Sequence, residues 1–194
     1  MLVTFHPLTV ERWPDLVDLF GPERGANSGC WCMWPRLACS EWNALGKGGR
    51  KRRFAAIVKK GPPPGLLAYE DGKAIGWVAV GPRMNVPRFN QGKTSRPVEE
   101  SDAPDPDKTY AISCFFTRPG HRKQGLMQKL AKAAADHARK RGAEAIEVCA
   151  IEPDKPLQWG EGFVGLATVF RRLGFDEVAR RSPKRPLMRL DFRK

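Results

Sequence analysis

The spacing of hydrophobic and polar positions along the chain predicts strands that alternate with helices. Short apolar runs bounded by Gly, Pro or charged residues are typical of strands. Asp71-Gly72 separates two of these runs and indicates a tight β-hairpin. The predicted strands cover residues 3–8, 65–71, 73–81, 109–117, 145–150, 175–180 and 186–192.

Helices are predicted where apolar residues recur every three or four positions. Thr9 is a candidate N-cap for the first helix, which tolerates Pro14 near its start. Gly61 and the prolines after it end the second helix. The predicted helices cover residues 9–20, 49–60, 125–141 and 163–173.

The order of these elements predicts an α/β (α+β) fold, with a mixed sheet and helices on both faces. A length of 194 residues fits a single domain over residues 1–194. Residues 21–47 are predicted to be irregular. Residues 82–108 contain five prolines and no clear period, so they form either a functional loop, at the substrate site, or a mobile segment.

Composition adds limits on location. No apolar stretch is long enough to span a bilayer, and the first residues lack the pattern of a secretory signal. The five cysteines have no regular spacing, which favours reduced thiols, so we expect a cytoplasmic protein. The sequence leaves open whether the protein is a homodimer.

The net charge of +13 raises the question of a nucleic-acid partner. The basic residues form three separate clusters, at 47–60, 118–132 and 171–194, and most of the aromatic residues lie outside them. That arrangement is a poor stacking platform for bases. We therefore expect most of these charges to face solvent and do not expect a nucleic-acid partner.

A basic turn, Arg122-Lys-Gln-Gly-Leu-Met127, lies between the strand 109–117 and the helix 125–141. Amide N–H groups at such a turn converge beside the positive end of the helix dipole. Gly125 has no Cβ, so an anion can approach the backbone closely. The turn predicts a site for a phosphate or pyrophosphate, with an ordinary solvated turn as the alternative. The buried stripe of the helix is predicted at Leu126, Leu130, Ala134 and His137/Ala138.

Three segments together resemble the GNAT superfamily of N-acetyltransferases. The basic turn is similar to the Arg/Gln-x-x-Gly-x-Gly/Ala turn of that superfamily. Phe170-Arg-Arg-Leu-Gly-Phe175 is similar to its Tyr-x-x-x-Gly-Phe segment, and residues 65–80 are similar to its central hairpin. The resemblance extends from about residue 64 to residue 194 and is weaker before that.

The resemblance implies a mostly antiparallel sheet of about seven strands, with a central parallel pair that splays apart. It also implies acetyl-CoA as the acetyl donor, with its pantetheine arm in the gap between the two strands. The backbone of Phe115, Phe116 and Thr117 would bind the pantetheine amides. The pyrophosphate would meet the N–H groups of Arg122, Lys123, Gln124, Gly125, Leu126 and Met127.

Acetyl transfer to an amine requires a neutral nucleophile, and a lysine-like amine at pH 7 costs roughly 4–5 kcal/mol to deprotonate. Glu147 is the candidate catalytic base, because it lies in Ile146-Glu-Val148 and some superfamily branches use the glutamate of a similar pattern. A solvent-facing or salt-bridged Glu147 is the alternative, and Glu152 is a second candidate base.

The general acid has no match in this sequence. Phe170 stands at the position of the superfamily's tyrosine, and Phe163 replaces the asparagine seven residues earlier. The thiolate of the donor would therefore leave unprotonated, or take its proton from water or from Cys149.

The segment Cys30-Trp-Cys-Met-Trp34 and the long loop carry the candidate acceptor-binding residues. By resemblance, the acceptor site follows the first helix, so Trp31 and Trp34 would form an aromatic wall; core packing is the alternative. Arg83 would recognise an acidic acceptor or a phosphate, or else face solvent. The cysteines of this segment make a zinc site worth considering. Four ligands at a familiar spacing are missing, however, so no metal is expected.

We expect an N-acetyltransferase that moves the acetyl group of acetyl-CoA directly to a primary amine in a ternary complex. The aromatic wall favours a small-molecule acceptor over a protein amine. One alternative is a non-catalytic acyl-CoA-binding protein, and a second, with less support, is a basic nucleic-acid-binding protein.

Overall fold

The structure is a computed structural model that describes residues 2–99, 103–157 and 161–193. Its strands are β1 Val3–Pro7, β2 Gly65–Glu70, β3 Lys73–Pro82, β4 Thr109–Thr117, β5 Ala145–Cys149, β6 Asp176–Arg180 and β7 Pro186–Asp191. They form one sheet in the order β1-β2-β3-β4-β5-β7-β6. Among these strands of the described residues, β4 and β5 pair in parallel and the other neighbours pair antiparallel. The predicted mixed, mostly antiparallel sheet is confirmed.

The described helices are α1 Trp13–Phe20, α2 Cys39–Lys60, α3 Pro87–Gln91, α4 Leu126–Lys140 and α5 Ala167–Arg172. α4 and α5 pack on one face of the sheet, and α1 and α2 pack on the other. Helices on both faces are therefore confirmed. Within the residues described, no helix combines the length and the apolar character that crossing a membrane requires.

Four local predictions were wrong. The last helix, α5, begins at Ala167 and not at residue 163, because residues 161–164 form a separate 3-10 turn. The first helix begins at Trp13 and not at Thr9, because residues 9–12 form a turn in which Arg12 N–H binds the Thr9 carbonyl at 3.2 Å. α2 begins at Cys39 and not at residue 49, and its φ angle departs from helical values at Gly46 (56°). The predicted irregular stretch 82–108 contains α3 and two 3-10 turns.

The core of the α4 face is formed by apolar positions of the central strands and the predicted stripe of α4. Leu126, Leu130, Ala134 and Ala138 are buried as predicted, whereas His137 is half-buried. The core of the opposite face is aromatic and includes Phe20, Trp31, Phe54 and Trp77. Full burial of a large apolar side chain contributes about 1.5–3 kcal/mol, so these two layers fix the sheet between the helices.

Two irregularities in β4 create the space for a site. Ala79 pairs with Cys114 while Val80 pairs with Ile112, so Ser113 is the additional residue of a β-bulge. The parallel pairing of β4 with β5 ends at Ile112 and Val148. β4 continues to Thr117 without β5 beside it, and the two strands diverge from that point.

Candidate functional site

A groove of about 570 Å³ opens where β4 leaves β5. It lies between the end of β4, the turn before α4 and the segment that leads into α5, and we call it the β4–α4 groove. Gln124 is absent from its described lining, and its side-chain amide donates to the Gly120 carbonyl at 2.9 Å. The other predicted cofactor-binding residues all line it: Phe115, Phe116, Thr117, Arg122, Lys123, Gly125, Leu126 and Met127.

The turn at the end of this groove has the backbone geometry of an anion site. Lys123 and Gly125 adopt left-handed φ angles of 62° and 74°. Gly125 is the N-cap of α4 without a side-chain cap, and its carbonyl accepts the Lys129 N–H at 3.2 Å. The N–H groups of residues 126–128 belong to the first helical turn, where no intrahelical acceptor exists. A Cβ on Gly125 would meet no atom within 4 Å, so the space beside it is open.

The described lining of the β4–α4 groove is basic. Arg122, Lys123 and Arg172 contribute cations, and none of the described lining residues is acidic. The sequence analysis missed Arg172. The sequence pattern that could have identified it is helical spacing, because Leu166, Val169 and Arg172 recur every third position and all line the groove.

A second cavity, of about 470 Å³, lies on the face of the sheet opposite α4. We call it the α2–β4 cavity, because the C-terminal part of α2 and the middle of β4 form two of its walls. Ala111 and the bulged residue Ser113 line it, whereas Phe115, two residues further along β4, lines the β4–α4 groove. The two spaces therefore approach each other at the bulge of β4.

The third wall of the α2–β4 cavity comes from the segment before α2, which supplies Met33 and Arg36. This segment has a constrained backbone, since Trp31 and Cys32 both adopt left-handed φ angles of 48° and 53°. Gly25 packs so closely under the indole of Trp31 that a Cβ there would overlap the ring. The buried tryptophan thus fixes the backbone that presents Met33 and Arg36.

Glu147 lies on β5 as a buried residue, 2% exposed, between two arginines. Its Oε2 pairs with Arg83, and its Oε1 accepts from Arg189 Nε at 2.8 Å. Arg83 also donates to the Ser95 carbonyl and stacks 4.8 Å from the centre of the Phe89 ring. Glu147 is absent from the described lining of both spaces, and its surroundings match the salt-bridged alternative.

The predicted Arg83 is likewise buried and absent from the cavity lining. Burial and the like charges of Arg189 and Arg181 lower the pKa of Arg83 to about 10, so it stays cationic at neutral pH. Two neighbouring cations favour the ionised form of a carboxylate. The second candidate base, Glu152, binds Arg171 and Arg180, which lower its pKa to about 2.

The predicted aromatic wall is divided between the core and the surface. Trp31 is 2% exposed and packs against Trp13 and Phe20, as in the core-packing alternative. Trp34 is 41% exposed and lies under the guanidinium of Arg88, 3.9 Å from its ring centre. Neither tryptophan is among the described lining residues of the α2–β4 cavity. Their role in acceptor binding stays a prediction.

The residues considered for the general acid are placed as follows. Phe170 is fully buried against Phe115 and Phe175, and Phe163 lines the β4–α4 groove. Cys149 is buried, and Arg185 donates to its carbonyl at 3.0 Å and to its sulfur at 3.5 Å.

The five cysteines are all in the described residues, and none is in a disulfide. Cys32 Sγ accepts from Trp77 Nε1 at 3.0 Å, and burial raises the pKa of Cys30 to about 11. Across the part of the chain that the structure describes, no group of three or more His, Cys, Asp or Glu residues is placed to hold a metal ion.

Comparison with known proteins identifies a family and similar folds. The sequence model of the Acetyltransferase (GNAT) family matches residues 29–158. No curated protein matched the chain.

Solved structures show a similar fold. The PaiA N-acetyltransferase of Thermoplasma acidophilum in complex with coenzyme A has a TM-score of 0.53 at 11% identity, covering 99% of this chain and 100% of its own. The ribosomal-protein-S18-alanine N-acetyltransferase of Escherichia coli has a TM-score of 0.52 at 13% identity, covering 98% and 94%. YncA of Salmonella typhimurium, a putative acetyltransferase with its cofactor acetyl-CoA, has a TM-score of 0.50 at 15% identity, covering 97% and 93%. Identities this low relate the folds alone.

Proposed function

Because the chain belongs to the GNAT acetyltransferase family, we propose that it transfers the acetyl group of acetyl-CoA to a primary amine. Transfer is direct, within a ternary complex and without a covalent enzyme intermediate. The observation that carries the proposal is the β4–α4 groove, where diverging strands meet a helix N-terminus without a side-chain cap. Two of the structural relatives were solved with coenzyme A or acetyl-CoA, which supports the choice of donor.

In this proposal the donor occupies the β4–α4 groove. Its diphosphate accepts hydrogen bonds from the N–H groups at the start of α4, beside the cations Arg122, Lys123 and Arg172. Its pantetheine arm runs along residues 115–117, where β4 no longer pairs with β5. The thioester then lies near Ser113, where a backbone N–H of β4 can stabilise the oxyanion of the tetrahedral intermediate.

The acceptor amine enters from the α2–β4 cavity, which reaches β4 at Ala111 and Ser113. Its volume suits a small molecule, since ligand pockets commonly measure about 300–1,000 Å³. The segment 82–86 contributes to this cavity, which supports a substrate-site role for the start of the long loop. Trp31, Trp34 and Arg83 would act on the acceptor only indirectly, by fixing the walls.

Glu147 stays the candidate base for the amine. It lies on β5 beside Ala111 of β4, but Arg83 and Arg189 occupy its carboxylate. As a base it would require Arg83 to move away. If Glu147 is structural instead, the amine loses its proton to solvent at a cost of roughly 4–5 kcal/mol.

A second candidate function, acyl-CoA binding without catalysis, is favoured by two specific observations. Phe170 cannot donate a proton to the leaving thiolate, and Glu147 is held in an ion pair. This candidate retains the donor groove and removes the chemical step.

The experiment that separates these functions follows the release of free CoA from acetyl-CoA over a panel of amines. We expect amine-dependent CoA release together with formation of the acetylated amine. Saturable binding of acetyl-CoA without thioester loss for any amine would instead establish the non-catalytic function. A lack of acetyl-CoA binding would contradict both.

The cellular setting and the choice of partners belong to the same proposal. Five unpaired thiols support a reducing compartment such as the cytosol. A nucleic-acid partner is not proposed.

A further inference from the structure

The α2–β4 cavity has a marked charge asymmetry. Three of its described lining residues are cationic, Arg36, Arg53 and Lys60, and none is acidic. A cavity that binds a simple cationic amine would normally offer a carboxylate to the ammonium group. The charges here instead suit an anion.

The cations from α2 lie on one face of that helix. Arg53, Ile57 and Lys60 are spaced by four and three positions, and all three line the cavity. Lys60 has no acidic partner among the described residues. Arg53 binds Glu41 at 3.3 Å, but both side chains are about half exposed, at 55% and 43%, so a ligand can replace that pair at little cost.

Arg36 is the most buried of the three cations. One of its terminal nitrogens donates to the Asn85 carbonyl at 3.1 Å, which ties it to the opposite wall of the cavity. Its Nε atom is buried and has no hydrogen-bond partner among the described residues. A buried donor without an acceptor destabilises a fold, so the Arg36 guanidinium has hydrogen-bonding capacity that the described residues do not use.

Most of the remaining lining of the cavity is apolar. Met33, Leu37, Ile57, Val80 and Val86 surround these charges together with the prolines at 62–64. The lining residues that come from β3 and β4, among them Val80, Ala111 and Ser113, are all uncharged. The acceptor therefore needs an apolar body between its amine and its charged group.

We infer that the acceptor is a small primary amine whose apolar body carries an anionic group, a carboxylate or a phosphate, bound by Arg36, Arg53 and Lys60. This inference rests on the proposed function. In the transfer step the amine nitrogen forms a bond to the acetyl carbon, and the thioester C–S bond breaks. The electron pair of that bond leaves on the CoA sulfur, and the proton of the amine passes to solvent or to the thiolate.

The first test uses acceptors that differ only in the anionic group. ε-Aminocaproate is compared with its amide, and aminohexyl phosphate is compared with aminohexanol, by kcat/KM for CoA release. We expect the anionic member of at least one pair to be preferred about tenfold or more, with a preference that shrinks as ionic strength rises. The pair with the larger preference identifies carboxylate or phosphate as the recognised group.

The second test assigns the preference to the cavity. Arg36→Gln and Lys60→Gln should each reduce the preference severalfold, mainly through the KM of the anionic acceptor. Lys59→Gln and Arg52→Gln are the matched controls, because they remove one charge each from exposed positions of α2 outside the described lining. They should leave the preference unchanged. Lys60 is exposed, so we expect Lys60→Gln to fold. This variant therefore tests whether the cavity recognises the anion even if Arg36→Gln fails to fold.

The outcomes separate this inference from the proposed function. Equal kcat/KM within both pairs, or equal losses in the variants and their controls, would overturn the inference and leave the acetyltransferase intact. No CoA release with any amine would overturn the proposed function. In that case, the thermal stabilisation of the protein is measured with N-acetyl-ε-aminocaproate and with N-acetylaminohexyl phosphate, each against its neutral analogue. Stronger stabilisation by either anion supports anion recognition by the cavity. Equal stabilisation within both pairs overturns the inference.

Discussion

Two separate factors favour glycine at position 125: the backbone conformation there and the space that a bound ligand needs. Its φ of 74° favours glycine, and any other residue there costs about 1–2 kcal/mol of folding free energy. The space beside its Cα is open, so a side chain would project without a clash in the free protein. In the proposed complex that space borders the diphosphate of the donor.

A matched pair of substitutions separates these two requirements. Gly125→Gln and Gly125→Glu impose the same backbone strain and nearly the same volume, and differ by one negative charge. Two unit charges 4 Å apart near a protein surface repel by about 4 kcal/mol at low salt. We expect the Kd for acetyl-CoA, measured by calorimetry, to be at least tenfold higher for Gly125→Glu than for Gly125→Gln. The difference should narrow in high salt, and equal Kd values would remove the diphosphate from this turn.

At the scale of elements, α2 illustrates what the sequence could not reveal. Its first half contains Gly46, Gly48 and Gly49 among charged residues and has no apolar period. Arg50 stabilises it by contacts that a hydrophobic period does not reveal. Arg50 donates to the carbonyls of Gly29 at 2.8 Å and Trp42 at 3.0 Å, and its guanidinium lies 3.4 Å from the centre of the Trp42 ring. The contact with Gly29 joins α2 to a separate segment earlier in the chain and leaves no local signal.

Elements with local signals were predictable. β4 coincides with the predicted strand 109–117. The predicted hairpin turn at Asp71-Gly72 is present, and its two residues adopt left-handed φ angles of 49° and 76°. The groove residues 115–117 and 122–127 were identified because they are consecutive in sequence. The α2–β4 cavity was not identified, since it assembles segments around residues 33–37, 53–64, 80–86 and 111–113.

The ion-pair cluster of β5 and the long loop allows a test of Glu147. Glu147→Gln replaces the anion between two buried guanidinium groups with a neutral amide, and such changes typically cost 3–5 kcal/mol. We expect a loss of that size in the free energy of unfolding, measured by urea denaturation. Glu144→Gln is the control, since Glu144 pairs with the exposed Lys108, and it should change stability little.

The Glu147→Gln variant, assayed under conditions in which it is folded, also tests whether Glu147 is the catalytic base. A base role predicts a fall in kcat of about a hundredfold or more at neutral pH. The deficit should shrink at high pH, where the amine is already neutral. A kcat close to that of the unmodified protein at every pH would restrict Glu147 to holding Arg83, and through it the loop at Ser95.

At the scale of the whole molecule, the net charge of +13 favours encounter with a polyanionic donor. The family match ends at residue 158, yet the sheet continues beyond it, because β7 pairs with β5 and β6 pairs with β7. The last strands therefore complete the half of the sheet that borders the groove. This continuity supports one cooperative unit over residues 1–194.

Calorimetry of the full chain tests that proposal together with donor binding. We expect a single unfolding transition, because one sheet connects the first strand to the last two. Acetyl-CoA at about a hundred times its Kd stabilises the folded state by about 2.7 kcal/mol, which for a chain of this size raises the Tm of the whole transition by about 5–10 °C. Gly125→Glu, measured in the same way, should show little of this shift. Two separate transitions, or a shift confined to one of them, would mean that the strands after residue 158 fold independently of the donor-binding part.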